Sequence, residues 1–256
     1  MTKEERIQRL ICAIPELSSY RLQLVDKVVG VFQTPKTFSR DRDSSLITNQ
    51  VLEDFGDVLR LHHAFSREPF SKDKFEYALE RVLIESRFLA SLAPRGSRGY
   101  DIEIGEERFS LKTEAAKGIK ENTIHISKFM ELGGGQWGSD PSDLIGLRQQ
   151  FLNNLGGIQR ILILRALQKG TPSYRYELVE IPKQLLAKAA NGRLEMKIDS
   201  SQNPKPGYCY VEDGIELLFS LYFDGGGERK LQIKGLKKAL CVVHGTWDFP
   251  VIADNP

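Results

Sequence analysis

Residues 100–114, YDIEIGEERFSLKTE, alternate apolar and polar side chains on both sides of one Gly-Glu pair, which leaves little freedom in how they fold. Gly105 in the first central position suits a two-residue hairpin turn, because such turns need a positive φ there. Reversal at Gly105-Glu106 sets Asp101 opposite Ser110, Ile102 opposite Phe109 and Tyr100 opposite Leu111. One face is then Tyr100, Ile102, Ile104, Phe109, Leu111 and Thr113; the other is Asp101, Glu103, Arg108, Ser110, Lys112 and Glu114. A slip of one residue would mix charge with apolar surface on both faces, so the pattern selects its own register.

The rest of the chain supplies a frame. Residues 1–92 read as a helical section. It has a capping-box pattern at Thr2 and Glu5, an apolar stripe through Ile7, Leu10, Ile11 and Ile14, and a second helical run over 16–32. Thr48 or Asn49 caps a helix reaching Phe65, and 73–92 reads as one more. The polar stretch 34–45 reads as a loop whose Lys36, Arg40 and Arg42 offer a phosphate-contacting arm. Residues 93–169 hold the hairpin, a mixed segment, the glycine-rich GGGQWG at 133–138, a helix announced by Asp140-Pro141-Ser142-Asp143, and the apolar strand IQRILILRAL at 158–167. Residues 170–256 alternate strand-like runs around one short helix near 182–190, with DGGG at 224–227 as a hairpin turn, and complete the sheet. The fold class is mixed α/β: a central mixed sheet flanked by helices, with an N-terminal helical section, all within one compact domain.

Charge and cysteine content narrow the setting. With 36 Lys+Arg against 34 Asp+Glu the net charge is +2, too small for bulk charge alone to argue for nucleic acid. Cys12, Cys209 and Cys241 are far apart with no Cys-x-x-Cys pair, which fits free thiols rather than a zinc site or disulfide framework. The N-terminus mixes acids with bases and lacks an apolar core, so no signal peptide is expected, and no apolar run reaches membrane length. A cytoplasmic protein is expected.

The polar face of the hairpin has two readings. Charged outer faces are common, and this one fits an amphipathic hairpin turned to water. It also fits a site: Asp101 and Lys112 are diagonal neighbours with Ser110 across and Glu114 one step along. A carboxylate can hold a divalent metal while an ammonium sits beside a reacting phosphate.

The segment YDIEIGEERFSLKTEAAKGIKENTIHISK resembles the active-site hairpin of type II restriction endonucleases of the PD-(D/E)XK nuclease superfamily. The likeness covers about residues 80–167, with helix, hairpin, helix and strand in the superfamily's order. It implies that Asp101 is the metal-binding aspartate and Lys112 the catalytic lysine. Two positions depart: Tyr100 stands where the family has proline, and Ser110 where it has the second acid. Glu114, on the same face, is the nearest substitute metal ligand; Glu80 and Glu85 on the preceding helix are others, and the choice stays open. The implied chemistry is Mg²⁺-assisted, sequence-specific hydrolysis of double-stranded DNA, with Lys112 offsetting charge on the phosphoryl group. A homodimer is implied by palindromic sites. Two alternatives remain: a structure-specific repair or recombination nuclease, and a DNA-binding protein that has lost catalysis along with its second acid.

DNA contacts are expected from Arg95 and Arg98 ahead of the hairpin, from Lys117, Lys120, His125 and Lys128 behind it, and from Lys230 and Lys234 on one side of a late strand. A solvated loop and a lysine-protected edge strand would look the same. GGGQWG matches G-x-G-x-x-G literally but follows what looks like a helix and has no ribose-binding acid after it. His62-His63 are adjacent on a helix and cannot share a face as ligands, and His244 and Trp247 read as core or strand end.

Overall fold

Strand β6 (Arg160–Gln168) shows where the polar face of the hairpin goes. In the computed structural model, which describes residues 1–94, 99–133 and 137–251, β6 lies parallel to β4 (Glu107–Glu114) in a seven-stranded sheet. Register sets Ser110 beside Ile161, Lys112 beside Ile163 and Glu114 beside Arg165. Ile161 and Ile163 are wholly buried, so Ser110 and Lys112 share a covered side of the sheet. Ser110, Lys112 and Glu114 are all buried, which overturns the water-facing reading for that half of the face, while Arg108 near the turn stays exposed.

The sheet runs β1 (Thr37–Arg40), β12 (Val242–Pro250), β7 (Ser173–Glu180), β6, β4, β3 (Ile102–Ile104) and β2 (Ala90–Leu92). A second sheet runs β5 (Thr123–Glu131), β11 (Lys230–Lys237), β10 (Glu216–Phe223), β9 (Gly207–Asp213) and β8 (Arg193–Met196). The hairpin has the expected register, Ile102 opposite Phe109 and Glu103 opposite Arg108, with Gly105 at φ +62°.

Two apolar layers flank the larger sheet. On one side α3 (Asn49–Phe65) and α4 (Lys72–Glu85) press Val51, Phe55, Leu59, Phe75 and Leu79 onto Phe109, Leu111, Leu162, Leu164 and Trp247. Gly56 permits that approach, because a Cβ there would strike the rings of Phe38 and Trp247. On the other side α5 (Asp143–Gly156), α6 (Lys183–Ala187) and the inner face of the second sheet close on Ile161, Ile163 and Val179. Because β6 is buried on both faces, its sequence is a continuous apolar run instead of an alternation.

The N-terminal section departs from an all-helical reading at both edges of the sheet. Within the 34–45 stretch, β1 pairs antiparallel with β12, Phe38 opposite Trp247. Two of its three basic residues are occupied: Arg40 donates to the Asn49 side chain and the Ile47 carbonyl, and Lys36 pairs with Glu53 and Asp57, while Arg42 is exposed. The helix expected over 73–92 stops at Glu85. Arg87 takes φ +68°, with Phe88 N–H on Leu83 O and Arg87 N–H on Ile84 O, a Schellman end with arginine where glycine is usual. Residues 90–92 then become β2, paired to β3. Ahead of these lie α1 (Lys3–Ala13), capped by Thr2 and Glu5 as expected, and α2 (Ser19–Gln33).

Candidate active site

Beyond the Ile102–Phe109 pair, β3 and β4 splay apart. The backbone N–H of Leu111, left without a strand partner on that side, donates instead to Asp101 Oδ2 at 2.6 Å. The Ser110 hydroxyl donates to the same oxygen at 3.2 Å, and Lys112 Nζ donates to Ser110 Oγ at 2.8 Å while lying 3.6 Å from Asp101 Oδ2. Splaying opens a cleft of about 840 Å³, walled by Tyr100, Asp101, Ser110 and Lys112 from the hairpin, Ser127–Glu131 from β5, Gln150 and Asn154 from α5, and Lys72 from α4. The ring of Phe129 lies 5.4 Å from Lys112 Nζ and supports the ammonium from behind.

Electrostatics follow from this crowding. Burial alone would raise the Asp101 carboxyl, but Lys112, Lys72 and the Leu111 N–H overcome it and hold its pKa below the usual range. Burial lowers Lys112, and the nearby Lys72 charge adds to that; Asp101 offsets only part. A base poised below its ordinary range in an open cleft is a functional signature.

The carboxylate that completes the cluster is Glu76, which sequence reasoning missed. Lys72 Nζ sits 2.7 Å from Asp101 Oδ1 and 2.6 Å from Glu76 Oε1, so one ammonium bridges two acids brought together from the residue just before β3 and from α4. Glu76 Oε1 is buried; Lys72 is its ion-pair contact, and it has no aligned hydrogen bond. Two hard carboxylates with a cation between them fit a divalent ion such as Mg²⁺, which uses one or two carboxylates plus substrate oxygens. Among the described residues no group of three or more His, Cys, Asp or Glu is placed to hold a metal ion.

The glutamates expected from the sequence lie elsewhere. Glu80 Oε1 accepts the Leu92 N–H at 2.8 Å and ties β2 to α4. Glu85 pairs with Arg81 on the surface. Glu114 shares the face of Lys112, but its Oε2 meets the wholly buried Arg165 at 2.5 Å and its Oε1 takes the His125 N–H at 3.0 Å, turned from the cleft. Glu114 rests on strand alternation, and Glu80 and Glu85 on the helical glutamate that the family resemblance implies; the residue beside the hairpin is Glu76, one turn before Glu80.

Of the expected DNA contacts, Lys128 lines the cleft. Lys117 and Lys120 are exposed in the connection that follows β4, and the Lys120 carbonyl is held by Arg165. His125 and Lys234 lie close together on the outer side of the second sheet, and Lys230 pairs with Glu228. Arg95 and Arg98 fall outside the described residues. His244, buried, bridges Ser44 and Glu180, and Trp247 is core.

The model of the SmaI family of type II site-specific deoxyribonucleases matches residues 10–249. The chain belongs to that family. It is 44% identical over 225 residues, 87% of this chain and 89% of the other, to a protein described as type II restriction enzyme SmaI from Serratia marcescens. No solved structure matches. As a member of the SmaI family, the chain is a sequence-specific restriction endonuclease, a hydrolase whose substrate is DNA. Type II restriction enzymes generally use a divalent metal ion. Among the described residues no helix is long and apolar enough to cross a membrane.

Proposed function

We propose that the cleft between β3, β4, β5 and α4 is where this SmaI-family enzyme hydrolyses a phosphodiester of double-stranded DNA, with Mg²⁺ held by Asp101 and Glu76. The observation that carries this reading is the Lys72 ammonium lodged between those two carboxylates, at 2.7 and 2.6 Å, with Lys112 alongside. A bound Mg²⁺ would polarise the scissile phosphate and lower the pKa of an attacking water.

The chain's own groups would do the rest. Lys112, held by Ser110 Oγ and the Phe129 ring, points its charge at the phosphoryl oxygens, where negative charge builds in the transition state. Ser110 cannot stand in for an anionic ligand. It orients both neighbours, donating to Asp101 and accepting from Lys112. Lys72 is a resident counter-ion that screens Asp101 from Glu76, and with a divalent ion held by those two acids its charge would be free for the phosphate backbone.

We further propose a homodimer in the cytoplasm, one cleft for each strand of a two-fold site. Helix α1 supports this, since it buries none of its residues while exposing Ile7, Leu10, Ile11 and Ile14 along one stripe. A lone helix of that length is marginal in water.

Plasmid DNA incubated with the wild type and Mg²⁺ is expected to yield discrete fragments. Asp101→Asn and Lys112→Ala are each expected to lower single-turnover cleavage at least about a thousandfold while circular dichroism stays native. Full activity in either variant removes the assignment.

A further inference from the structure

The cleft explains cutting but not choice. Its carboxylates, ammonium groups and serine meet phosphate, which every sequence presents alike; discrimination needs contacts to base edges. The reading below rests on the proposed cleavage of duplex DNA and asks where bases are read.

The second sheet has one face spent on the core, through residues such as Phe219, Leu221 and Ile233. Alternation sends Tyr208, Tyr210, Ser220, Tyr222, Gln232 and Lys234 to the other face. That face is not the charge-dense surface of an ordinary solvated sheet. The Tyr208 and Tyr210 rings stack at 5.3 Å, Tyr222 joins Tyr208 at 4.9 Å, and Lys234 Nζ lies 3.6 Å from the Tyr222 ring centroid. The acids around it are occupied: Glu195 and Glu212 pair with Arg193, and Asp224 accepts from Gln232 and Gln202. Lys234 makes no ion pair within 4 Å among the described residues; the Asp224 charge reaches it from a distance, and the ammonium stands over the tyrosine rings. Gln232 is fixed through its amide nitrogen at 3.2 Å, which leaves its carbonyl oxygen to accept.

We infer that this outer face is the base-reading surface for duplex DNA, with Lys234 as its central contact. Continuity with the cleft argues for DNA over any other occupant. Strand β5 pairs with β11; it carries His125 beside Lys234 and then runs on as Ser127–Glu131 along the cleft wall. A duplex with its backbone in the cleft would meet β5, the edge strand of the second sheet, and would reach the tyrosine face by passing around that edge. Lysine donates to the acceptor edge of guanine and a glutamine carbonyl accepts from exocyclic amines, while tyrosine rings hold both in place.

Binding is measured by fluorescence anisotropy with Ca²⁺ replacing Mg²⁺, on a duplex carrying the site mapped from wild-type digests and on a scrambled duplex. Lys234→Gln is expected to weaken cognate binding about tenfold or more and to leave scrambled binding nearly unchanged. Tyr222→Leu, which frees Lys234, is expected to act in the same direction, and Tyr222→Phe to restore affinity. Equal loss on both duplexes makes Lys234 a phosphate contact and overturns base reading, as does no loss on either. Sedimentation is run in parallel: loss of binding together with loss of the dimer would make this face a contact between copies, and also overturns the inference. If Tyr222→Leu does not fold, Lys234→Gln decides. Wild type that cuts discretely beside an unaffected Lys234→Gln removes only the sheet face, whereas wild type that never cuts removes the nuclease reading itself.

Discussion

Two clusters of charge share the covered side of β4, two residues apart, and they are built to opposite rules. Around Arg165 the guanidinium donates to Glu114 at 2.5 Å, to Glu177, to the Glu121 carbonyl at 3.3 Å and to the carbonyls of Lys120 and Thr123, both at 2.7 Å. Glu177 also takes Lys238 at 2.9 Å, so acids and bases balance in a row across β4, β6 and β7. Around Asp101, by contrast, Glu76 keeps a buried oxygen without an aligned hydrogen bond, Lys112 is pushed toward losing its proton, and solvent enters through the cleft. A closed cluster has nothing left to offer a ligand and serves as scaffold; an open one can exchange its cation for a metal and a phosphate.

The sharpest break of this comparison is Arg165→Met. It strands Glu114 in the interior and leaves Glu177 to Lys238 alone, and urea unfolding is expected to show a loss of about 3–5 kcal/mol. Cleavage per folded molecule should stay near wild type. Glu114→Gln is expected to follow the same pattern with a smaller cost. If Glu114→Gln instead silences cleavage in a protein of normal stability, Glu114 is a working acid and the division between clusters fails.

On the open side, Glu76→Gln is expected to cut single-turnover cleavage about a hundredfold, whereas Glu80→Ala, one turn along α4, should cost about 1–3 kcal/mol of stability through the orphaned Leu92 N–H and leave cleavage almost untouched. Lys72→Met gives a readout apart from catalysis. It removes a like charge from the metal position, so calorimetric titration with Mn²⁺ is expected to show binding about tenfold tighter. Unchanged affinity would mean that Lys72 does not stand where the ion goes.

These contrasts mark what was legible in the chain. The hairpin register was, because a slip would have exposed Ile102 and Phe109 and the alternation forbids it. That register puts Asp101 and Lys112 on one face, and the splay beyond Ile102 then lets the Asp101 carboxylate reach the Leu111 N–H beside Lys112. Glu76 was not legible: which turn of α4 faces the hairpin depends on where the Arg87 reversal places the helix, and no glycine announces that reversal. Nor was the fate of Glu114, whose partner sits 51 residues on, inside a strand that reads as apolar. The edge strands β1 and β2 escaped for a related reason: three or four polar or mixed residues become strand only because β12 and β3 offer a free edge.

The smallest effect tests whether closure can be recognised away from β4. Glu180 on β7 is held by Arg160 through both carboxylate oxygens, at 3.1 and 2.6 Å, and by His244 at 2.8 Å. Burial would raise its carboxyl, but the His244 hydrogen bond and the Arg160 charge win and bring it from 4.5 to about 2. Between those values the unfolded chain binds the proton that the folded chain refuses, so this contribution is complete above pH 4.5 and drains away as pH falls toward 2. The stability gap between wild type and Glu180→Gln, measured by thermal melts, is therefore expected to be flat from pH 7 to 4.5 and to shrink in stronger acid. A gap independent of pH throughout would show that Glu180 titrates like an exposed glutamate, and that matched partners do not by themselves make a cluster closed.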